Sequence, residues 1–93
     1  TPGGAILVVD DNEANREVLA RRLEKQGYSV AMATNGREAL HTLQERAFDA
    51  VLLDIMMPEM DGYETLRRIR ADERWQFLPV IMISALHEME AIV

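Results

Sequence analysis

The chain is 93 residues long, 48% hydrophobic and 28% charged, a composition that suits one small soluble globular domain. Its formal net charge is −6, and nine of its ten basic residues are arginine, which argues against a domain that grips a nucleic-acid backbone by itself. The absence of cysteine excludes disulfides, thiolate metal sites and a cysteine nucleophile, and no apolar run approaches the ~20 residues that span a bilayer.

Thr1–Gly4 reads as a linker, and residues 5–93 as the domain. Ala5–Val9 is a continuous apolar run, as expected of a parallel strand buried on both faces, and it stops at Asp10-Asp11-Asn12. Asn12 can cap a first helix with Ala14, Val18, Leu19 and Leu23 at helical spacing, and Gly27 suits the position past its end. Tyr28–Ala33 reads as a second strand, with Tyr28, Val30 and Met32 alternating against smaller residues. Asn35-Gly36 is a turn signal, and a second helix with Ala39, Leu40 and Leu43 on its apolar face follows. Asp49–Asp54 is a third strand, apolar until it meets its final acid. Ile55–Gly62 is a loop in which Met56, Met57 and Met60 fill gaps, and Asp61 can cap a third helix carrying Tyr63, Leu66 and Ile69. Arg67, Arg68 and Arg70 form a solvated helix face, and Trp75 and Phe77 are expected to cover the base of the sheet. Pro79–Ile83 is a fourth strand ending at Ser84, and Leu86–Val93 starts a further helix. His41 is expected to face solvent, and His87 to lie nearer the mouth of the strand tips.

The β-α-β-α-β-α-β order predicts an α/β fold, an open doubly wound parallel sheet with helices on both faces. Such sheets bind ligands beyond the carboxyl ends of their strands. Three strands end there in polar groups: Asp10 and Asp11, then Asp54, then Ser84. Taken singly, an acid at a strand end caps a turn as readily as it binds anything. Taken together, three converging carboxylates repel one another unless a cation or protons intervene. A hard divalent ion with oxygen ligands, Mg²⁺ or Mn²⁺, is the natural solution, and without nearby His or Cys zinc is disfavoured. With the charge neutralised, a carboxylate can accept a phosphoryl group as an acyl phosphate.

Val-Val-Asp10-Asp11-Asn-Glu, Leu-Leu-Asp54-Ile-Met-Met-Pro58-Glu-Met-Asp-Gly62 and Pro-Val-Ile-Met-Ile-Ser84-Ala85 closely resemble the receiver domains of bacterial response regulators, from about Ile6 to Val93. The resemblance implies a flavodoxin-like sheet of order 2-1-3-4-5 and a non-enzymatic role in cytoplasmic two-component signalling. It implies that Asp54 is the phosphoacceptor, fed by a histidine kinase or phosphotransfer protein, and that an output domain or partner protein reads the change. Asp11, Asp54 and the Met56 carbonyl would bind Mg²⁺, Asp10 would act largely through water, and Ser84 would hydrogen-bond the phosphoryl oxygen and draw its loop inward. The family tunes hydrolysis at the position of Met56, where a bulky apolar residue is expected to slow the approach of water. No direct nucleic-acid or membrane binding is implied, and a homodimer is among the expected assemblies.

The family also carries a fifth strand with an aromatic switch residue, an invariant lysine and a last helix. The nine residues after Ser84 are too few for a helical crossover of roughly a dozen or more, so these parts are expected to be missing and the domain incomplete. One side of the first or third strand would then be exposed. Two other readings stand beside the phosphoacceptor: a degenerate receiver acting only as a protein-interaction module, and a Mg²⁺-dependent phosphohydrolase, which would need an Asp-x-Asp motif and a cap insertion.

Overall fold

The structure, a computed structural model, describes residues 3–84; the expected helix from Leu86, His87 and Ala85 lie outside the described residues. β1 (Ala5–Val9) is central, as its unbroken apolar run demands: Ile6, Leu7, Val8 and Val9 are all buried. It pairs in parallel with β2 (Ser29–Ala33) on one side and β3 (Ala50–Asp54) on the other, and β3 pairs with β4 (Val80–Ile83). The described sheet therefore has the order β2-β1-β3-β4. Strands one and three are interior and the described edges are β2 and β4, so the expected exposure of strand one or three does not occur: each is hydrogen-bonded on both sides.

Three helices cross over between the strands: α1 (Glu13–Lys25), α2 (Gly36–Glu45) and α3 (Gly62–Ala71). All three begin at an Asx cap, with the side chains of Asn12, Asn35 and Asp61 accepting from the amides of Asn15, Glu38 and Glu64. The Asn35-Gly36 pair is thus a helix start rather than a free turn, because Asn35 is extended and already caps the next helix. α1 ends in a Schellman motif: Gly27, at φ 96°, donates to Glu24 O and Tyr28 donates to Leu23 O.

The main core joins Leu7 and Val9 of β1 and Val51 and Leu53 of β3 to Ala39 and Leu43 of α2 and Ile69 of α3, with Phe48 and Met57 closing it. Strand β2 turns its small residues inward, Ala33 fully buried and Ala31 packed on the core, while Tyr28 and Met32 are exposed. α1 likewise departs from its expected stripe. Its inward residues are Asn15, Arg16, Leu19, Ala20 and Leu23, at helical spacing, whereas Ala14 and Val18 face water. Tyr63 is also exposed, since α3 buries Thr65, Leu66 and Ile69 instead.

At the amino-terminal end of the sheet, Trp75 packs on the core as expected, but Phe77 is 88% exposed and covers nothing. Arg70 does more than solvate a face: it donates to the carbonyls of Trp75 at 3.0 Å and Leu78 at 2.7 Å, fixing the turn into β4. Arg67 and Arg68 pair with Glu64, and His41 lies in solvent beside Glu45.

Candidate functional site

Register brings the distant acids together. Val9 is the partner of Leu53, so Asp10 follows beside Asp54, and the two, being in step, project to the same face. On the other side Asp54 pairs with Ile83, which puts Ser84 one residue beyond it, buried at the same edge. Asp11 follows at the exposed start of the β1–α1 loop. One carboxylate oxygen from each of Asp10, Asp11 and Asp54 lies within 4.8 Å of the other two.

The first strand's tip is tied down on several sides. Asp10 donates its amide to Ala33 O at 3.2 Å, and its Oδ1 accepts from the Asn12 amide at 2.9 Å. Arg16 Nη1 donates to the Asp10 carbonyl at 2.8 Å. Asp54 Oδ1 accepts from the Met56 amide at 3.3 Å. Met56 is 54% exposed and does not fill a gap; Met57 beside it is buried and does.

Burial governs the charges. Asp10 is fully buried and Asp54 is 3% exposed. Desolvation pushes the Asp54 carboxyl up to about 6, aided by the negative charges of Asp10 and Asp11 and opposed by the Met56 amide. Asp10 is raised too, first by burial and then by Asp11, against the lowering pull of the Asn12 amide and the Arg16 guanidinium. Asp10 Oδ2 is buried with no hydrogen-bond partner, a cost that native structures rarely leave unanswered. An all-carboxylate donor set with one orphaned buried oxygen fits a hard divalent cation such as Mg²⁺ or Mn²⁺.

Two features of the site were not legible as functional. Gly62 lies against the back of the third strand's tip: a Cβ there would run into Asp54 O and stand 2.8 Å from Ile55 Cα, while the Gly62 amide donates to Ile55 O at 2.9 Å. The Pro58–Gly62 turn also holds Glu59 at φ 66°. Arg16 is the other. Its signal was a basic residue in the amino-terminal half of a helix, against the dipole.

A family model described as the response regulator receiver domain matches residues 6–93. The chain belongs to the response regulator receiver domain family. Among similar proteins, the response regulator MprA of Mycolicibacterium vanbaalenii is 48% identical over 80 residues, covering 86% of this chain and 34% of that protein. Hybrid signal transduction histidine kinase A of Dictyostelium discoideum is 43% identical over 83 residues, covering 85% of this chain and 4% of the kinase. The crystal structure of the N-terminal domain of a response regulator receiver protein from Methanoculleus marisnigri superposes with a TM-score of 0.84 at 46% identity, covering 87% of this chain and 66% of that one. This receiver domain thus has the flavodoxin-like fold expected of it, and it spans about a third or less of the curated relatives it matches. Among its described residues no helix is long and apolar enough to cross a membrane.

Proposed function

We propose that this receiver domain is a phosphoacceptor switch in two-component signalling, with Asp54 as the residue modified. The observation that carries the reading is the convergence of Asp10, Asp11 and Asp54 at one strand edge, two of them buried. Asp11 and Asp54, with the Met56 carbonyl, would hold Mg²⁺, and Asp10 would act largely through water. Bound there, the ion would supply charge neutralisation for carboxylates that burial otherwise pushes toward protonation.

The donor in this reading is a phosphohistidine of a kinase or phosphotransfer protein. An ionised Asp54 oxygen attacks the phosphorus, the P–N bond breaks, and its electron pair returns to the imidazole, which takes up a proton. The product is an acyl phosphate on Asp54. Little covalent work falls to the protein, so alignment and charge carry the step. The Met56 amide at Asp54 Oδ1 fixes which oxygen is free to attack. Ser84, buried beside the pair Asp54 and Ile83, would hydrogen-bond a phosphoryl oxygen and shift the segment that follows β4. Met56, exposed two residues after Asp54, is the bulky apolar residue that would slow the approach of water to the acyl phosphate. Relatives named as a response regulator and as a hybrid histidine kinase support a kinase on one side and an output domain on the other; in this reading the domain works in the cytoplasm. Residues 5–93 act as the receiver unit and residues 1–4 as its lead-in.

Incubation of the full chain with acetyl phosphate and Mg²⁺ is expected to add one phosphoryl group by intact mass, and EDTA is expected to prevent it. Asp54→Asn should abolish the addition. Persistence of the mass gain in that variant would move the acceptor elsewhere.

A further inference from the structure

The three acids differ in how they are held. Asp10 Oδ1 takes the Asn12 amide, and Asp54 Oδ1 takes the Met56 amide. Asp11 is exposed, and none of the side-chain hydrogen bonds among the described residues reaches its carboxylate, so its placement depends on the backbone that carries it. Among the described residues, the side chain that anchors the oxygen of the peptide unit joining Asp10 to Asp11 is Arg16, whose Nη1 donates to it at 2.8 Å. Just upstream, the Asp10 amide is held by Ala33 O.

We infer that Arg16 is a positioning residue that fixes the Asp10–Asp11 peptide plane and thereby aims the Asp11 carboxylate at the cation. It reaches this place because α1 turns it inward on the stripe of Leu19, Ala20 and Leu23, one turn before buried Ala20. The helix is locked to the same loop by the Asn12 cap and by the Arg16 amide, which donates to Asn12 O at 3.0 Å. These bonds tie the Asp10–Asn12 loop, the helix cap and the guanidinium into one unit that carries Asp11. A charge-assisted bond to a half-buried carbonyl is stronger than a neutral one, and arginine's planar fork gives it direction. The inference rests on the cation reading of the acid cluster.

A guanidinium this close to a cation site has two effects of opposite sign on the ion. Its charge repels the ion, whereas its bond organises the ligand. If positioning dominates, removing Arg16 weakens Mg²⁺ binding; if charge dominates, removal tightens it. The test is calorimetric titration of the full chain with Mg²⁺ alone, for wild type, Arg16→Ala, Arg16→Met and Arg16→Lys, with Asp11→Asn and Asp54→Asn as controls. Arg16→Met keeps the apolar stem packed along α1, so it reports even if the alanine variant does not fold; thermal midpoints in EDTA establish which variants do.

We expect Arg16→Ala and Arg16→Met to weaken Mg²⁺ about tenfold, the low end for residues that orient metal ligands. Arg16→Lys, which keeps a cationic donor, should recover part of the loss. Acetyl phosphate labelling of Arg16→Met should return to the wild-type rate at saturating Mg²⁺, since only the ion's affinity has changed. Unchanged or tighter Mg²⁺ binding in the folded Arg16 variants would overturn the inference, as would a labelling rate that stays low at saturating Mg²⁺. Failure of the underlying reading looks different: wild type would not bind Mg²⁺, or the aspartate controls would bind it as wild type does.

Discussion

Asp54 and Asp72 sit at opposite ends of the same strand–helix unit, and their surroundings drive them in opposite directions. Asp54 closes β3 at the carboxyl edge of the sheet; α3 then runs back to the other edge, where Asp72 caps the short 3₁₀ turn Glu73–Trp75. Burial and two neighbouring acids raise Asp54 to about 6. Asp72 falls to about 2, first through side-chain bonds from Arg74, at 3.0 and 2.7 Å, and then through that residue's amide. The Asp72 turn brings its own cation and remains in contact with water. The Asp54 edge buries its charge, and none of the ion pairs among the described residues reaches it. An aspartate that is complete as it stands serves structure, whereas one held at a cost is available to a ligand or a reaction.

The widest gap between the two should be seen in the pH dependence of stability without metal. Asp54 has a folded-state value above that of an unfolded aspartate, so the native state binds the proton more tightly and loses stability as pH rises from about 4 through about 6. The loss should reach on the order of 2–3 kcal/mol by pH 7, measured as the urea-unfolding free energy in EDTA. Asp54→Asn should be more stable than wild type at pH 7 and lose less over that interval, the remaining slope coming from Asp10, which burial also raises. Added Mg²⁺ should restore much of the wild-type loss by binding the ionised acids. A wild-type profile that rises from pH 4 to pH 7 in EDTA would overturn the account of the buried edge.

Gly62→Ala is expected to come next in size. The added methyl meets the Asp54 carbonyl, so either α3 or the tip of β3 must move. Overpacking against backbone costs about 1–3 kcal/mol. Because the displaced group is the peptide of Asp54 itself, acetyl phosphate labelling should fall with stability, even under conditions where the variant is fully folded. Gly27→Ala, at the far end of the sheet, strains only a helix terminus and should lower stability without touching the labelling rate.

How much of this could be read in the letters depends on which force set each feature. β1, β3 and β4 were legible because two-sided burial writes itself as an apolar run, and the acid or serine that ends each run marks the sheet edge. Asx capping was legible for α1 and α3, and was missed at Asn35, where the same two residues also spell a turn. The stripes were less so: Val18, Tyr63 and Phe77 are apolar yet exposed, because helix rotation and the ends of the sheet are decided by packing partners that one-dimensional spacing cannot name. In β2 the core took alanines where the larger residues were expected, since α2 lies close over that face. Asp10, Asp11, Asp54 and Ser84 were singled out from their positions at strand ends, and the structure brings the acids together with Ser84 buried at the same edge. Gly62 and Arg16 were not, because what matters there is a near contact with backbone, which leaves no pattern in composition or period.

Asp72→Asn should have the smallest effect, and it tests the other half of the comparison. The side chain is only partly buried and has its guanidinium partner in place, so desolvation counts for less than the Arg74 bonds and neutralising it removes mainly a salt-screened attraction. An asparagine can still accept the Arg74 amide that the carboxylate now accepts, which preserves the turn. Its unfolding midpoint at neutral pH should therefore fall only slightly below that of wild type in low salt, and the gap should shrink in high salt. The carboxyl carbon resonances supply the matching direct reading: that of Asp72 should titrate near pH 2, and that of Asp54 near pH 6 in EDTA. If the two titrate together near pH 4, the sheet edge is not storing charge at a cost, and its acids are ordinary turn residues.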